Sequence, residues 1–216
     1  MLKLKNITTK EKKPYLNNLN LNISNGKFVL LNYRSRLEKN KMIDLICQLD
    51  KPRSGKIVIG DKNLAKFSCR SKIIHKRIGI CFEDLKLIES KNVFENIIFP
   101  LQIHTKLSFK KIVEKGEEQL KMFGLSEKKN SFLTTLSLEE KQRLNIARSL
   151  VLDPELIVLD NPQLNLKVEM TKSLMKYLQD LNSKGKTIVI FTNDKTTENM
   201  INCDKYMLDK GAILDV

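Results

Sequence analysis

The sequence contains no tryptophan, and aromatic residues make up only 6% of it. Proteins that bind single-stranded nucleic acid stack bases on aromatic rings, so this scarcity weakens that class of function. No apolar run approaches the roughly 18 uncharged residues that a membrane-spanning helix needs. The N-terminal stretch MLKLKNITTKEKK lacks the apolar centre of a signal peptide. We therefore expect a folded soluble protein that neither spans nor crosses a membrane by itself.

Disulfide and metal frameworks are also missing from the sequence. The cysteines occur without C-x-x-C spacing, at Cys47, Cys69, Cys81 and Cys203. We interpret them as reduced core residues of a cytosolic protein. The two histidines, His75 and His104, have no companions at metal-ligand spacing, so we do not expect a metal site.

The length and composition suit one globular domain. The chain has 216 residues, of which 41% are hydrophobic and 30% are charged, which is enough apolar material for a packed core. Lysine and arginine number 39 against 25 acids, for a net charge of +14. Such an excess fits either an anionic partner, such as nucleic acid or a membrane surface, or a general over-use of lysine. The basic residues are spread along the chain, which favours the second interpretation, and we expect no nucleic-acid partner.

Apolar patterns predict an α/β fold. Short β-like runs at 2–7, 19–23 and 27–31 indicate that the chain opens as antiparallel β, and residues 39–49 have the apolar spacing of a helix. Two continuous apolar runs, 156–160 and 187–191, are typical of central parallel strands, with an amphipathic helix over about 167–183 between them. Further β segments are expected at 56–59, 78–82, 205–208 and 212–216.

The middle of the chain is predicted to be helical. Residues 91–150 show helical patterns with breaks at Pro100 and Gly124 and no convincing strand. We expect a single domain over 1–216 with an embedded helical subdomain over 86–150.

Several strings, in this order of elements, resemble the ATP-binding cassette of ABC transporters over essentially the whole chain. They are LICQLDKPRSGKIVIGD (45–61), RIGICFEDLKLIESKNVFENIIFPLQI (77–103), LSLEEKQRLNIARSLVLDPELIVLDNPQLNL (136–166) and KYMLDKGAI (205–213). The likeness is greatest to small subunits of the FtsE and LolD type, which dock on permeases of the FtsX and MacB kind. It implies a P-loop NTPase-like fold with a mixed core sheet and an N-terminal antiparallel β part.

The phosphate-binding loop of that family departs from its pattern here. The pattern G-x-x-x-x-G-K-[ST] uses glycines so that backbone N–H groups can surround a phosphate. Alignment with the family places Tyr33, Arg36 and Glu38 at glycine positions, Lys39 at the lysine, and Asn40 and Lys41 at the hydroxyl positions. Side chains at glycine positions occupy the volume that the phosphate needs, and Glu38 adds a negative charge. A second interpretation is that Arg34, Arg36, Lys39 and Lys41 form a new anion cradle.

The other nucleotide-binding motifs have also lost residues that the family uses. The resemblance places Asp160 at the magnesium-binding aspartate but Asn161 at the catalytic glutamate, and an amide cannot act as a general base. It places Asn193 at the switch histidine, Glu83 at the glutamine after the RIGI strand, and Ser137 in a signature that has lost both glycines. We therefore interpret Lys39, Asn40, Glu83, Ser137, Asp160, Asn161 and Asn193 as vestigial nucleotide-site residues, and we assign no catalytic or metal-binding residue.

The leading hypothesis is a cassette without ATP hydrolysis that serves a membrane permease as a structural or regulatory partner at the cytoplasmic face. It would act as a homodimer or paired with another cassette, with no cofactor. The first alternative is a divergent ATPase that uses Lys39 and Asp160 with ATP and Mg²⁺, powering a transporter or cell-division complex. The second alternative is a basic module that binds nucleic acid or a lipid surface.

The resemblance places the permease contact between Glu83 and about Thr105. This stretch is densely apolar, and we expect its docking surface to consist of Glu83, Phe94, Ile97, Phe99 and Leu101, next to Lys86, Lys91 and Lys106. Pro100 is expected to interrupt the segment, so that it cannot lie buried along one straight helix. The alternative is that these apolar residues form the core of the helical subdomain.

Overall fold

The computed structural model of the chain describes residues 1–60, 62–63 and 77–215. The interpretations of Cys69 and His75 therefore concern positions outside the described residues. Cys47 and Cys81 are buried free thiols, and Cys203 is a half-buried one.

The described strands form two sheets. One has four antiparallel strands in the order β2-β1-β4-β5, and the other has six strands in the order β10-β9-β3-β8-β7-β6. The strand bounds are β1 (Leu2–Thr8), β2 (Leu19–Ile23), β3 (Phe28–Tyr33), β4 (Ser54–Ile59), β5 (Lys62–Asn63), β6 (Ile78–Cys81), β7 (Leu156–Asp160), β8 (Thr187–Phe191), β9 (Asp204–Asp209) and β10 (Ala212–Asp215). In the second sheet only β9 and β10 pair antiparallel.

The helices lie mostly in the second half of the chain. Their bounds are α1 (Arg36–Ile46), α2 (Val93–His104), α3 (Phe109–Met122), α4 (Leu138–Leu150), α5 (Val168–Ser183) and α6 (Lys195–Asn199), with short 3₁₀ turns at Ser126–Lys128 and Leu133–Thr135. The expected end near Gly124 is present, since α3 stops at Met122 and Gly124 has a φ of +61°. None of the helices in the described ranges is long and apolar enough to cross a membrane.

The central strands β7 and β8 are buried on both faces, as their apolar runs predict. Side chains alternate along a strand, so Leu156 and Val158 pack toward the antiparallel sheet and α1. Ile157 and Leu159 pack into the helical layer on the other side. Burying each such aliphatic side chain contributes about 1.5–3 kcal/mol, so these strands anchor both layers. The predicted α/β fold with an N-terminal antiparallel part is confirmed.

The structure corrects two local expectations. The run at 27–31 does not continue the antiparallel opening: as β3 it pairs parallel with β8 and β9, and it is buried along its whole length. Pro100 does not interrupt its segment, because α2 continues through it to His104. A capping box between Asn92 and Glu95 starts this helix. Packing of its apolar face compensates for the missing proline N–H.

The strand order brings the candidate residues to one edge. Because β3, β8, β7 and β6 are adjacent and parallel, their carboxyl ends lie side by side. Tyr33 ends β3 and Asp160 ends β7, while Glu83 and Asn193 lie two residues beyond β6 and β8. This edge is where open α/β sheets bind their ligands.

Candidate functional site at the carboxyl edge of the parallel sheet

The centre of the site is the Lys39 ammonium, which is completely buried although it belongs to a charged residue type. Its Nζ donates to Asp160 Oδ1 at 2.7 Å, to Asp160 Oδ2 at 2.9 Å and to Glu83 Oε2 at 2.6 Å. The ammonium also lies 5.0 Å from the centre of the Tyr33 ring. Buried charges persist in folded proteins when they are paired and hydrogen-bonded, and Lys39 meets both conditions.

The electrostatics of this pairing favour the charged forms of Lys39 and Glu83. Burial alone would lower the pKa of Lys39, but the bonds to Asp160 and Glu83 outweigh it and raise that pKa. Burial likewise opposes ionisation of Glu83, yet Lys39 and Asn161 lower its pKa below the ordinary value. Asp160 is buried more deeply, and burial raises its pKa even with Lys39 beside it.

Asn161 links this ion pair to the end of β3. Its Nδ2 donates to Glu83 Oε2 at 2.9 Å and to the Tyr33 hydroxyl oxygen at 2.9 Å. The Asn161 backbone has a φ of +45°, a left-handed conformation that asparagine adopts more readily than glutamate does. An amide at this position therefore suits both the backbone and the acids beside it. We refer to Tyr33, Arg36, Lys39, Glu83, Asp160 and Asn161 together as the Lys39 network.

The basic residues near this loop do not form a shared anion cradle. Each already has a carboxylate partner: Arg34 pairs with Asp209, Arg36 with Glu83, Lys39 with Glu83 and Asp160, and Lys41 with Glu11 and Asp50. The Arg36–Glu83 contact is 2.6 Å long and completes the Lys39 network. Arg36 and Lys39 share Glu83, whereas Arg34 and Lys41 face other acids on other elements, so the four cations do not converge on one site and the structure gives the cradle interpretation no support.

The connection from β3 to α1 consists of Arg34 and Ser35 alone. Ser35 is the N-cap of α1, and its hydroxyl oxygen accepts from the Glu38 backbone N–H at 3.4 Å. One of the first free donors of the helix is thus satisfied by the chain itself. Leu37, in the same first turn, leaves 57% of its surface exposed.

Asn193 is tied to the backbone of β3. Its Oδ1 accepts from the Tyr33 N–H at 3.0 Å, and its Nδ2 donates to the Tyr33 carbonyl at 2.8 Å. Gln163 and Thr192 join the same edge through a bond of 2.8 Å from Nε2 to Oγ1. Sequence reasoning missed these two residues, since only the adjacency of β7 and β8 brings them together.

Besides Asn193, two predicted site residues, Ser137 and Asn40, lie outside the network. Ser137 caps α4 in a capping box with Glu140, so its side chain completes a helix end. Asn40 is exposed and lines a cavity of about 440 Å³ beside Arg36, Glu83 and Asp160. No group of three or more His, Cys, Asp or Glu suited to hold a metal ion occurs among residues 1–60, 62–63 and 77–215.

The predicted docking residues divide into two sets. Ile97 and Leu101 are 0% and 1% exposed and belong to the helical core, so a docking role for these two is wrong. Phe94 and Phe99 are half-buried, with lysine ammonium groups over their rings. The side chains of helix α2 point in different directions around its axis, some toward the core and some toward solvent. Its apolar residues therefore cannot all lie on one surface.

Comparisons with known proteins place this site in a family. Residues 16–164 match the family described as ABC transporter. The chain is 33% identical to the methionine import ATP-binding protein MetN of Haemophilus influenzae (strain 86-028NP), over 100% of its own length and 64% of that relative. It is 32% identical to the cell division ATP-binding protein FtsE of Bacillus subtilis (strain 168), over 92% of this chain and 87% of that one.

Among solved structures, the chain is similar to the ATP-binding cassette MJ0796 in a dimeric post-hydrolysis state bound to ADP and Pi. The TM-score is 0.92 at 30% identity, covering 100% of this chain and 98% of the other. Similarity to MetN is as high as similarity to FtsE, so the comparisons do not single out the FtsE and LolD type. The chain spans somewhat less than two thirds of the MetN length.

Proposed function

This chain belongs to the ABC transporter family of ATP-binding cassettes, and from that premise we propose that it is a docking subunit that does not hydrolyse ATP. Its partner is an integral membrane permease of the FtsX or MacB type, bound at the cytoplasmic face of the membrane. The chain works there as a structural or regulatory subunit, as a homodimer or beside another cassette.

The Lys39 network is the observation that supports this proposal. Its two cations, Lys39 and Arg36, are matched by two carboxylates, Glu83 and Asp160. A polyphosphate could reach the Lys39 ammonium only by displacing these acids, and breaking a buried ion pair costs about 3–5 kcal/mol. Glu83 would also repel the incoming phosphate. The charged groups of the site therefore pair with one another without a ligand.

The residues present do not fit a magnesium nucleotide. The short connection of Arg34 and Ser35 leaves no glycine-rich loop to surround a phosphate, and Ser35 accepts one of the helix donors. Asn161 has no basic atom for an attacking water, and its amide N–H groups already donate to Glu83 and Tyr33. We derive no hydrolytic step from this arrangement.

Thermal unfolding with millimolar Mg-ATP tests the nucleotide part of the proposal. A ligand present at 100 times its Kd would stabilise the fold by about 2.7 kcal/mol, which is easily detected. We expect no shift of the melting temperature and no phosphate release. If ATP stabilises the chain, releases phosphate, and loses both effects in Lys39→Met, the divergent ATPase is correct instead; stabilisation without phosphate release would show a site that binds ATP but does not hydrolyse it.

We place the docking surface on the predicted subdomain over 86–150, near Glu83 and Phe99. The Phe99 ring is half-buried and lies 5.5 Å from the Lys91 ammonium, so it combines an apolar face with a positive rim. Phe94 is less suitable, because a Cβ added at Gly116 would lie 2.6 Å from its ring. That tight fit indicates a packing role between α2 and α3.

Copurification with a membrane permease from the native membrane tests the docking part. We expect Phe99→Ser to abolish copurification while the melting temperature stays within a few degrees of the parent value. Phe132→Ser, which truncates a phenylalanine that is 53% exposed, is the matched control and should retain the partner. Retention of the permease by Phe99→Ser would place the interface elsewhere.

A further inference from the structure

The turn between α2 and α3 exposes apolar side chains that the fold does not cover. Phe109 leaves 72% of its surface in solvent and Ile103 leaves 41%. Both flank the turn of residues 105–108, and we call residues 103–111 the hairpin tip. Phe109 is the most exposed of the large apolar residues in the described part of the chain.

Hydrogen bonds and close helix packing support the backbone of the hairpin tip. The Thr105 hydroxyl donates to the Leu101 carbonyl at 2.7 Å, and the Leu107 N–H donates to that hydroxyl oxygen at 3.3 Å. Farther along, Gly116 lets α2 and α3 approach closely, since a Cβ there would lie 2.5 Å from Ile98 Cγ2. These contacts favour one backbone arrangement of the turn, which would lower the entropy lost on binding.

Three lysines lie in the same short segment as these apolar residues. Lys106, Lys110 and Lys111 are all exposed, and within residues 1–60, 62–63 and 77–215 no carboxylate forms an ion pair with them. By contrast, Lys129 pairs with Glu117 at 2.6 Å on the same helical layer. The tip is therefore a local excess of positive charge around a protruding aromatic ring.

We propose that the hairpin tip binds the surface of an anionic lipid bilayer directly. Phe109 and Ile103 would enter the boundary between headgroups and acyl chains, and the three lysines would contact lipid phosphates. A nucleic acid would engage the lysines but would leave the aliphatic Ile103 without a suitable contact. This inference goes beyond the proposed function, because it needs neither the permease nor any property of the Lys39 network.

The absence of tryptophan makes a direct measurement possible. Phe109→Trp gives the protein a single tryptophan whose emission reports its surroundings. We expect a blue shift with vesicles of phosphatidylcholine containing about 30 mol% phosphatidylglycerol and none with pure phosphatidylcholine. Phe132→Trp, another exposed position, is the control and should show no shift with either vesicle.

Vesicle sedimentation of the tryptophan-free chain separates a local site from the general positive charge. The triple variant K106Q/K110Q/K111Q should weaken binding to the anionic vesicles roughly 100-fold. The control K172Q/K176Q/K184Q removes the same number of exposed, unpaired lysines from the described α5 region and should weaken it only a few-fold. Phe109→Ser should weaken binding about tenfold, with an unchanged melting temperature.

Two outcomes would overturn the proposal. Equal losses in the two lysine variants would mean that the chain adsorbs through its overall charge. An unshifted emission spectrum of the Phe109→Trp variant on anionic vesicles, together with loss of permease copurification in K106Q/K110Q/K111Q, would mean that the tip binds the protein partner and not lipid.

Discussion

The Lys39 network and the hairpin tip both contain basic residues. Those of the network form ion pairs with acids, whereas no carboxylate of the described residues forms an ion pair with those of the tip. In the network, Lys39 is buried and its ammonium donates to two carboxylates. At the tip, Lys106, Lys110 and Lys111 lie in solvent without an acidic partner in the described structure. Removing a member of the first region would leave a buried charge unpaired, whereas the charges of the second are accessible to a partner.

Helix α1 also contains one buried lysine and one that is partly exposed. Lys39 and Lys41 each contact two carboxylates, but the Lys39 side chain is 0% exposed and that of Lys41 is 28% exposed. Burial strengthens an ion pair and also raises the cost of breaking it, whereas solvent screens the exposed pair. Substitutions at these positions can therefore separate the two kinds of charge.

The largest effect is expected from Lys39→Met, which leaves Glu83 and Asp160 without their shared cation. The free energy of unfolding should fall by about 3–5 kcal/mol, measured by urea denaturation at pH 7. Lys39 lowers the pKa of Glu83, so the contribution of Glu83 is present above its ordinary value of 4.5 and is lost as pH falls. The loss should therefore shrink below that pH.

Lys41→Met is the matched control on the same helix, and it should cost no more than about 1 kcal/mol. Similar losses in Lys39→Met and Lys41→Met would show that the Lys39 network is not a structural feature.

A smaller effect is expected from Asn161→Glu, which places a third carboxylate beside Glu83 and Asp160. Asn161→Gln removes the same short amide at a φ of +45° without adding charge, and it should cost about 1–2 kcal/mol. The glutamate should cost roughly 1–2 kcal/mol more, through repulsion from the two acids. Neither variant should release phosphate from ATP. Phosphate release by the Asn161→Glu variant would contradict the proposal that the charged groups of the site pair with one another and exclude ATP.

The smallest effect is expected at Asp50, the partly exposed carboxylate that pairs with Lys41 and Lys10. The Lys10 ammonium, the Lys51 N–H and the Lys41 ammonium lower the pKa of Asp50 from 3.8 to about 2. A lowered pKa gives stability above the unfolded value that is lost as pH falls through the folded one. Asp50→Asn should therefore cost about 0.5–1 kcal/mol at neutral pH. In urea titrations from pH 7 to pH 2, this difference should disappear between about pH 4 and pH 2; a constant difference would refute the assignment.

Strongly patterned elements were the most predictable part of the fold. The runs at 156–160 and 187–191 are apolar apart from Asp160 and Thr187 at their ends, and both are central parallel strands with those bounds. The run at 27–31 was given the wrong partners, because a short apolar strand does not encode whether its neighbour is parallel. Pro100 was expected to break its helix, and packing of Val93, Ile97 and Ile98 overrides the local propensity.

The candidate site was predictable as a set of residue types but not as a set of contacts. Sequence alignment pointed to Lys39, Glu83, Asp160 and Asn161, which do lie together. It did not indicate that Arg36 pairs with Glu83, nor that Asn193 binds the backbone of Tyr33. Their assignment as remnants of a nucleotide site stays a prediction, which the ATP measurements above would test.

The sequence by itself determined the layers of this protein, because apolar periodicity decides which face of each strand and helix is buried. It also determined where charge is available, since lysines are visible as letters. Only the tertiary structure decided which charges are used internally. Glu83 and Asp160 follow Lys39 by 44 and 121 positions in the chain. Both contact its ammonium because parallel strands end at one edge of the sheet. Lys106, Lys110 and Lys111 lie at the turn of a helical hairpin, where no carboxylate of the described fold forms an ion pair with them, and so their charge remains available to a partner.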